Sequence, residues 1–361
     1  MTPQPDGEGT AELIWPTGIR QASKPPHLVY LDLNHWINLG KARLGKQAPG
    51  GYVELLAECI AARKRCTVTF VLSASLLLEI TKIKDPAQRQ HLADTVDQLT
   101  DHEYLLDRPT LMRFEIESAL DDVGPTRPWR HIPLDMPVNG LLQALGRHGG
   151  LKIVDKNGND LTEQTVREQG PAFADQLNQW EKLAEHMLIA GPQDDEIPQL
   201  VDLRYNPEAT WEVAERRVQQ ERDFAAQLDP TLRRGRLRDA VSAREVVIEL
   251  GDALAEELEV RGTTFDQVIT SREDARRLAL CMPSTRTAIE LKTWYHRNPN
   301  RKWEVNDIND LDALAIAVPY CDIVFADAAA TSALVDGHIG ALMGTEIPRR
   351  PAELVNLLQS I

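Results

Sequence analysis

The sequence predicts an α/β protein: a doubly wound parallel sheet assembled from both chain ends, interrupted by a large helical insertion. Three observations predict it. Two distant apolar runs, residues 27–33 (HLVYLDL) and 321–327 (CDIVFAD), read as fully buried strands of a parallel sheet, where helices cover both faces and polar residues are excluded. A β-branched run at 67–72 (TVTFVL) supplies another strand, and amphipathic helical stretches alternate with these runs at both ends of the chain. Residues 101–280 lose that alternation and carry long polar helical stretches instead.

Each element has its own reason. Residues 1–26 are polar and rich in Pro and Gly, which predicts a loose arm. The first half of the core, 27–100, opens with the strand at 28–33, followed by a basic, Gly-rich stretch at 40–51. A helix at 52–63 then places Leu55, Leu56, Cys59 and Ile60 on one face. After the strand at 67–72, Ser73 or Ser75 caps a helix running through Leu76, Leu77, Glu79 and Ile80. Within the insertion, helices are expected at 172–186, 209–228 and 240–260, and Asn157-Gly158 is a hairpin turn signal. The second half of the core, 281–361, reads as a helix at 286–295, a polar loop at 296–301, a helix at 307–318, a strand at 322–325 and a last helix at 352–358.

Composition narrows the function. With 361 residues, 42% of them hydrophobic, the chain is long enough for a sizeable core. Its net charge of −15 has the wrong sign for a surface that attracts nucleic acid as a whole. Local clusters work against that sign, one at Arg286, Lys292, His296, Arg297, Arg301 and Lys302 and another at Arg233, Arg234, Arg236 and Arg238. The four cysteines (Cys59, Cys66, Cys281, Cys321) lack CxxC spacing and read as core thiols, not as a zinc ribbon or a disulfide framework. No basic-then-apolar leader and no membrane-spanning run is present, so the cytoplasm is the expected location and no membrane partner is expected.

The acids carry the chemistry. Asp32 and Asp327 stand at strand exits, where ligand sites of open α/β sheets form, although each also suits a helix cap. In Asn306-Asp307-Ile308-Asn309-Asp310-Leu311-Asp312, a helical period puts Asp307 and Asp310 on the buried side and Asp312 toward water. Glu79 is the one charge in Leu76-Leu77-Leu78-Glu79-Ile80, and a buried carboxylate is costly unless paired or bound to metal.

Taken in order, Tyr30-Leu31-Asp32-Leu33-Asn34-His35-Trp36, then Ser73 to Glu79, then Asn306-Asp307-x-x-Asp310 leading into Pro319-Tyr320-Cys321-Asp322 and Phe325-Ala326-Asp327, the pattern resembles PIN-like domain nucleases. The resemblance covers about the first hundred residues and the last eighty. It implies an endoribonuclease in which acids gathered around Mg²⁺ or Mn²⁺ hydrolyse RNA phosphodiesters. Asp32, Asp310, Asp307 and Asp327 would then be the metal ligands, and Glu79 would position a second metal or the attacking water. Arg286, Lys292, Arg297, Arg301 and Lys302 would hold flanking phosphates, with Trp294, Tyr295 or Trp303 as a stacking face. Related nucleases also suggest a cognate inhibitor protein and a homodimer. Two departures bear on the site: Ala326 replaces a usual hydroxyl residue, and Asn34 stands where a second acid sometimes occurs.

Two other classes stay open. One is a non-enzymatic PIN-like interaction module, with an incomplete acidic pocket and the insertion as a protein-binding surface. The other is a haloacid-dehalogenase-type phosphatase, which wants a second acid two residues after the first where this chain has Asn34. The geometric expectation of the nuclease reading is that Asp32, Glu79, Asp310 and Asp327 converge and Asp312 stays outside.

Overall fold

The computed structural model describes residues 11–21, 24–123, 130–147, 150–193, 195–202 and 207–361. Its strands are β1 (Ile19–Gln21), β2 (His27–Leu31), β3 (Val68–Val71), β4 (Glu103–Tyr104), β5 (Leu134–Met136), β6 (Val138–Asn139) and β7 (Ile323–Phe325). The helices that matter for the site are α1 (Leu33–Arg43), α2 (Tyr52–Lys64), α3 (Ala74–Ile80), α4 (Pro86–Leu99), α5 (Arg108–Val123), α6 (Pro171–Ala190), α7 (Pro207–Gln227), α8 (Leu237–Ile248), α9 (Pro283–Arg297), α10 (Val305–Tyr320), α11 (Ala328–Asp336) and α12 (Pro351–Ser360).

The central sheet is parallel, with β2 between β3 and β7. Val29 faces Phe70 on one side and Ile323 on the other, so strands from both chain ends share one register. Beyond β3, Leu72 forms a parallel bridge with Tyr104; beyond β7, Ile323 forms one with Glu346. Read across, the order is β4, β3, β2, β7 and the Glu346 segment. The chain therefore moves outward from β2 in one direction and, on its return, in the other, with the reversal between β2 and β7. Val29, Leu31 and Val324 are fully buried, which is why these strands are continuous apolar runs without alternation.

Helices dominate the rest, and several differ from the sequence expectation. Helix α1 begins at the β2 exit, capped by Asp32, and runs to Arg43, so it takes in the start of the 40–51 stretch. Residues 11–21 of the expected arm are packed: Trp15 sits edge-on to Tyr320 with ring centroids 5.4 Å apart, the Ile14 N–H donates to the Cys281 carbonyl, and β1 pairs with β5. Apolar side chains at Ala11, Ile14 and Trp15 fasten the segment that its Pro and Gly content suggested was loose. Residues 1–10 lie outside the described residues. The insertion range is helical, yet its start at β4 joins the sheet edge, and Val154 and Asp160 bridge antiparallel across the Asn157-Gly158 turn. Cys59, Cys281 and Cys321 are core thiols, whereas Cys66 at the end of α2 is exposed.

Two apolar cores lie side by side. The larger surrounds the sheet; the smaller joins α5, α8 and α9 through Met112, Ile116, Leu120, Val241, Val246 and Ile289. Helices α5 and α9 serve both, since Leu111 and Phe114 of α5 and Leu291 and Tyr295 of α9 belong to the larger one. An ionic network fills the seam, where Arg108, Arg217, Arg244 and Lys292 meet Glu221, Glu245, Glu249 and Asp312. Lys292 Nζ is 2.7 Å from Glu245 and 3.3 Å from Glu221, and Arg244 is 2.6 Å from Glu221. Arg108 also contacts Glu245, and Arg217 reaches Asp312 at 2.5 Å. Among the described residues, no helix is long and apolar enough to cross a membrane.

Candidate metal centre

The site forms at the carboxyl ends of the central strands, where the strand order reverses. Asp32 follows β2 directly. Its backbone N–H donates to the Phe325 carbonyl at 3.0 Å, which extends the β2–β7 pairing by one step and fixes the residue. Its Oδ1 accepts from the Leu33 N–H at 2.6 Å, and the Asp327 N–H also acts on the carboxylate, so backbone donors from both strand exits hold it. Glu79 comes from α3, which is aimed by Ser73: the Ser73 Oγ caps the helix by accepting from the Leu76 N–H at 3.1 Å. Asp310 comes from α10, which packs against α3.

One oxygen from each of Asp32, Glu79 and Asp310 lies within 4.8 Å of the others. Asp32 is buried and the other two are half-buried. Burial is the main cause of their altered acidity. It lifts Asp32 to about 6, with repulsion from Asp327 adding and the Leu33 N–H opposing. Glu79 rises to about 7, through burial and then Asp32, with Lys82 and Asn309 opposing. Asp310 rises to about 9, through burial and then repulsion by Asp32, Glu79, Asp327 and Asp307.

Asp327 stands beside this triad. Its carboxylate caps α11 by accepting from the Ala330 N–H at 2.7 Å, while its charge acts on all three acids. Asp307 is engaged elsewhere. Its Oδ1 accepts from Arg301 at 2.5 Å and its Oδ2 from the Glu304 N–H at 2.8 Å, closing a capping box at the start of α10. The expectation that Asp307 completes a metal shell is corrected by that geometry: the third helical position suits a cap, and a guanidinium covers the remaining oxygen. Asp312 stays out of the triad, as the helical period requires, but it does not simply face water. Arg108 and Arg217 hold it at 3.3 and 2.5 Å.

The basic cluster needs the larger correction. Lys292 is 2% exposed and bound to three glutamates, and Arg286, 3% exposed, donates to the Ala11 carbonyl at 2.8 Å. Neither can reach a phosphate, because α9 is enclosed by both cores: Lys292 answers acids from the insertion, and Arg286 donates to backbone carbonyls at Ala11 and Leu280. Arg301 is half-buried, lying 3.7 Å over the Tyr295 ring and paired with Asp307. Arg297 and Lys302 are exposed, with Arg297 5.5 Å over Trp294. Tyr295 and Trp303 are core residues, which removes them as stacking faces.

Sequence reasoning passed over Lys82 and Asn309. Lys82 is half-buried beside Glu79 and Asp310, and its Nζ donates to Asn306 Oδ1 at 2.9 Å. Its place three residues after Glu79 was the available signal. His35 holds the scaffold: it stacks on Phe325 at 3.6 Å, with Nε2 3.0 Å from the Ala326 carbonyl and Nδ1 2.6 Å from the Tyr52 hydroxyl.

The donor set is all carboxylate oxygen, which matches hard cations such as Mg²⁺ or Mn²⁺. The weakened acidity fits that donor set: three acids share a buried space with one half-buried lysine beside them, and a divalent cation would relieve that repulsion. No known protein family, no curated protein and no solved structure matches this chain.

Proposed function

We propose that the protein is a PIN-like, Mg²⁺- or Mn²⁺-dependent endoribonuclease whose metal is held by Asp32, Glu79 and Asp310, with Asp327 alongside. The observation that carries this reading is the convergence of three carboxylates from β2, α3 and α10 at the reversal of strand order. The order β4, β3, β2, β7, Glu346 supports a sheet wound outward in both directions from β2, as the PIN-like resemblance implies.

When bound, the cation supplies Lewis acidity toward the phosphodiester and the attacking water. Asp32 and Asp310 orient it through oxygens that their backbone positions hold in place. Glu79, on the α3 side of the cluster, would hold the cation from that side and orient the attacking water. Lys82 faces the charge that develops on the phosphate. The internal positions of Arg286 and Lys292 favour the second reading, a non-enzymatic module, because they leave fewer cations for an RNA backbone.

Cleavage of a mixed single-stranded RNA pool, with Mg²⁺, Mn²⁺ or EDTA, separates the two. The nuclease reading expects metal-dependent cutting that Asp32→Asn loses by a factor of about a hundred or more. Absence of cutting across metals and substrates would move the assignment to the interaction module.

A further inference from the structure

A cavity of about 540 Å³ opens beside the triad, lined by Lys82, Trp211, Glu212, Glu215, Val305 and Asn306. Two segments carry it to the acids independently. Lys82, in the turn just past α3, is near enough for Glu79 and Asp310 to act on its charge, and Asn306 precedes Asp310 by four on α10, roughly 5–6 Å away. The remaining wall is α7, from the insertion. Trp211 there is 39% exposed, and a large aromatic face left open at a pocket mouth is a costly use of tryptophan unless something covers it.

The chemistry of the walls identifies the occupant. Glu212 and Glu215 repel phosphate but accept hydrogen bonds from the amino and imino groups of bases. With Arg286 and Lys292 internal and Arg301 paired to Asp307, little of the basic cluster remains to hold a backbone. Affinity for a single strand must then come from its bases.

We infer that this cavity is a nucleobase subsite: an unpaired base next to the scissile phosphate stacks on Trp211 while Glu212 or Glu215 accepts from its edge. The inference rests on the nuclease reading and names the substrate as single-stranded, read by base and not by charge.

The test is binding, measured by fluorescence anisotropy on Asp32→Asn protein in Mg²⁺ so that nothing is cut. The probes are a mixed-sequence single-stranded RNA, the same strand carrying abasic sites, and an RNA duplex. Adding Trp211→Ala should weaken the single strand roughly five- to a hundredfold, and Trp211→Phe, which keeps a ring, should restore most of it. Binding of the abasic strand and the duplex should be equal in all three proteins. The salt dependence should be shallow, with a slope of about −1 for one or two phosphate contacts. An unchanged affinity for the single strand, an equal loss on all three probes, or no binding at all would overturn the subsite. If wild-type protein cuts RNA and Trp211 has no effect, the subsite falls and the nuclease stands. If Trp211 governs base binding but nothing is cut, the reverse holds.

Discussion

Asp310 is the residue under most strain from its neighbours. In an unfolded chain its carboxyl titrates near the ordinary value of about 4, whereas in the fold burial and four nearby acids lift it to about 9, with Asp32 at about 6 and Glu79 at about 7. At these three positions the folded, metal-free protein therefore holds more protons than the unfolded chain from about pH 4 up to pH 9, and their contribution to stability falls as pH rises through that window. Asp310→Asn should stabilise the protein in EDTA at pH 8 by about 1–3 kcal/mol, read as a rise in thermal midpoint, and much less at pH 5. A lower midpoint at pH 8 would show that the acids do not repel. Mg²⁺ or Mn²⁺ should stabilise the wild type by about 2.7 kcal/mol at a hundred times its Kd, and Asp310→Asn should abolish that gain in differential scanning fluorimetry. The triad was legible in the sequence because a charge closing an apolar strand, or lone on an apolar helix face, has few structural explanations. Lys292 was not: its three carboxylate partners lie 43 to 71 positions before it, and nothing local marks a lysine as internal.

At the scale of single elements, α3 and α10 decide whether the acids meet. Ser73 is the cap that starts α3, so Ser73→Ala should cost about 1 kcal/mol and loosen Glu79, lowering divalent-ion affinity without removing any ligand. Isothermal titration with Mn²⁺ reads this directly; an unchanged affinity would mean that packing alone sets the helix. On α10 the two faces part company. Asp310 looks into the triad while Asp312 answers Arg108 and Arg217, so Asp312→Ala leaves those two guanidiniums to Glu245 and Glu249 alone and should destabilise by about 1–3 kcal/mol. The metal-induced rise in midpoint should survive in that variant. The helical period predicted the separation of Asp310 from Asp312. It could not say whether the outer face met water or arginine, because those arginines sit on α5 and α7, elements with no sequence signal toward α10.

For the molecule as a whole, the shared helices α5 and α9 and the ionic seam bind the sheet and the insertion into one unit. Glu221 shows how firmly: burial alone would raise its pKa, yet His296, Lys292 and Arg244 hold it well below the usual carboxylate range. Unfolding should accordingly give one calorimetric transition, not separate ones for core and insertion; two resolved transitions would contradict the shared packing. The alternation of strands and helices at the chain ends made the sheet readable. The seam was hidden, since a balanced set of eight charges, four buried and four half-buried, looks, in sequence, like the solvated faces of polar helices.

The pairing of β2 with β7 also sets a timetable. Val29 can find Phe70 early in synthesis, but its other neighbour, Ile323, follows only about 290 residues later. Until then Asp32 and Glu79 have no Asp310 to complete them, and one edge of the middle strand is bare. A chain cut off before α10 would thus lack the third carboxylate, and with it the cluster on which the proposed activity rests.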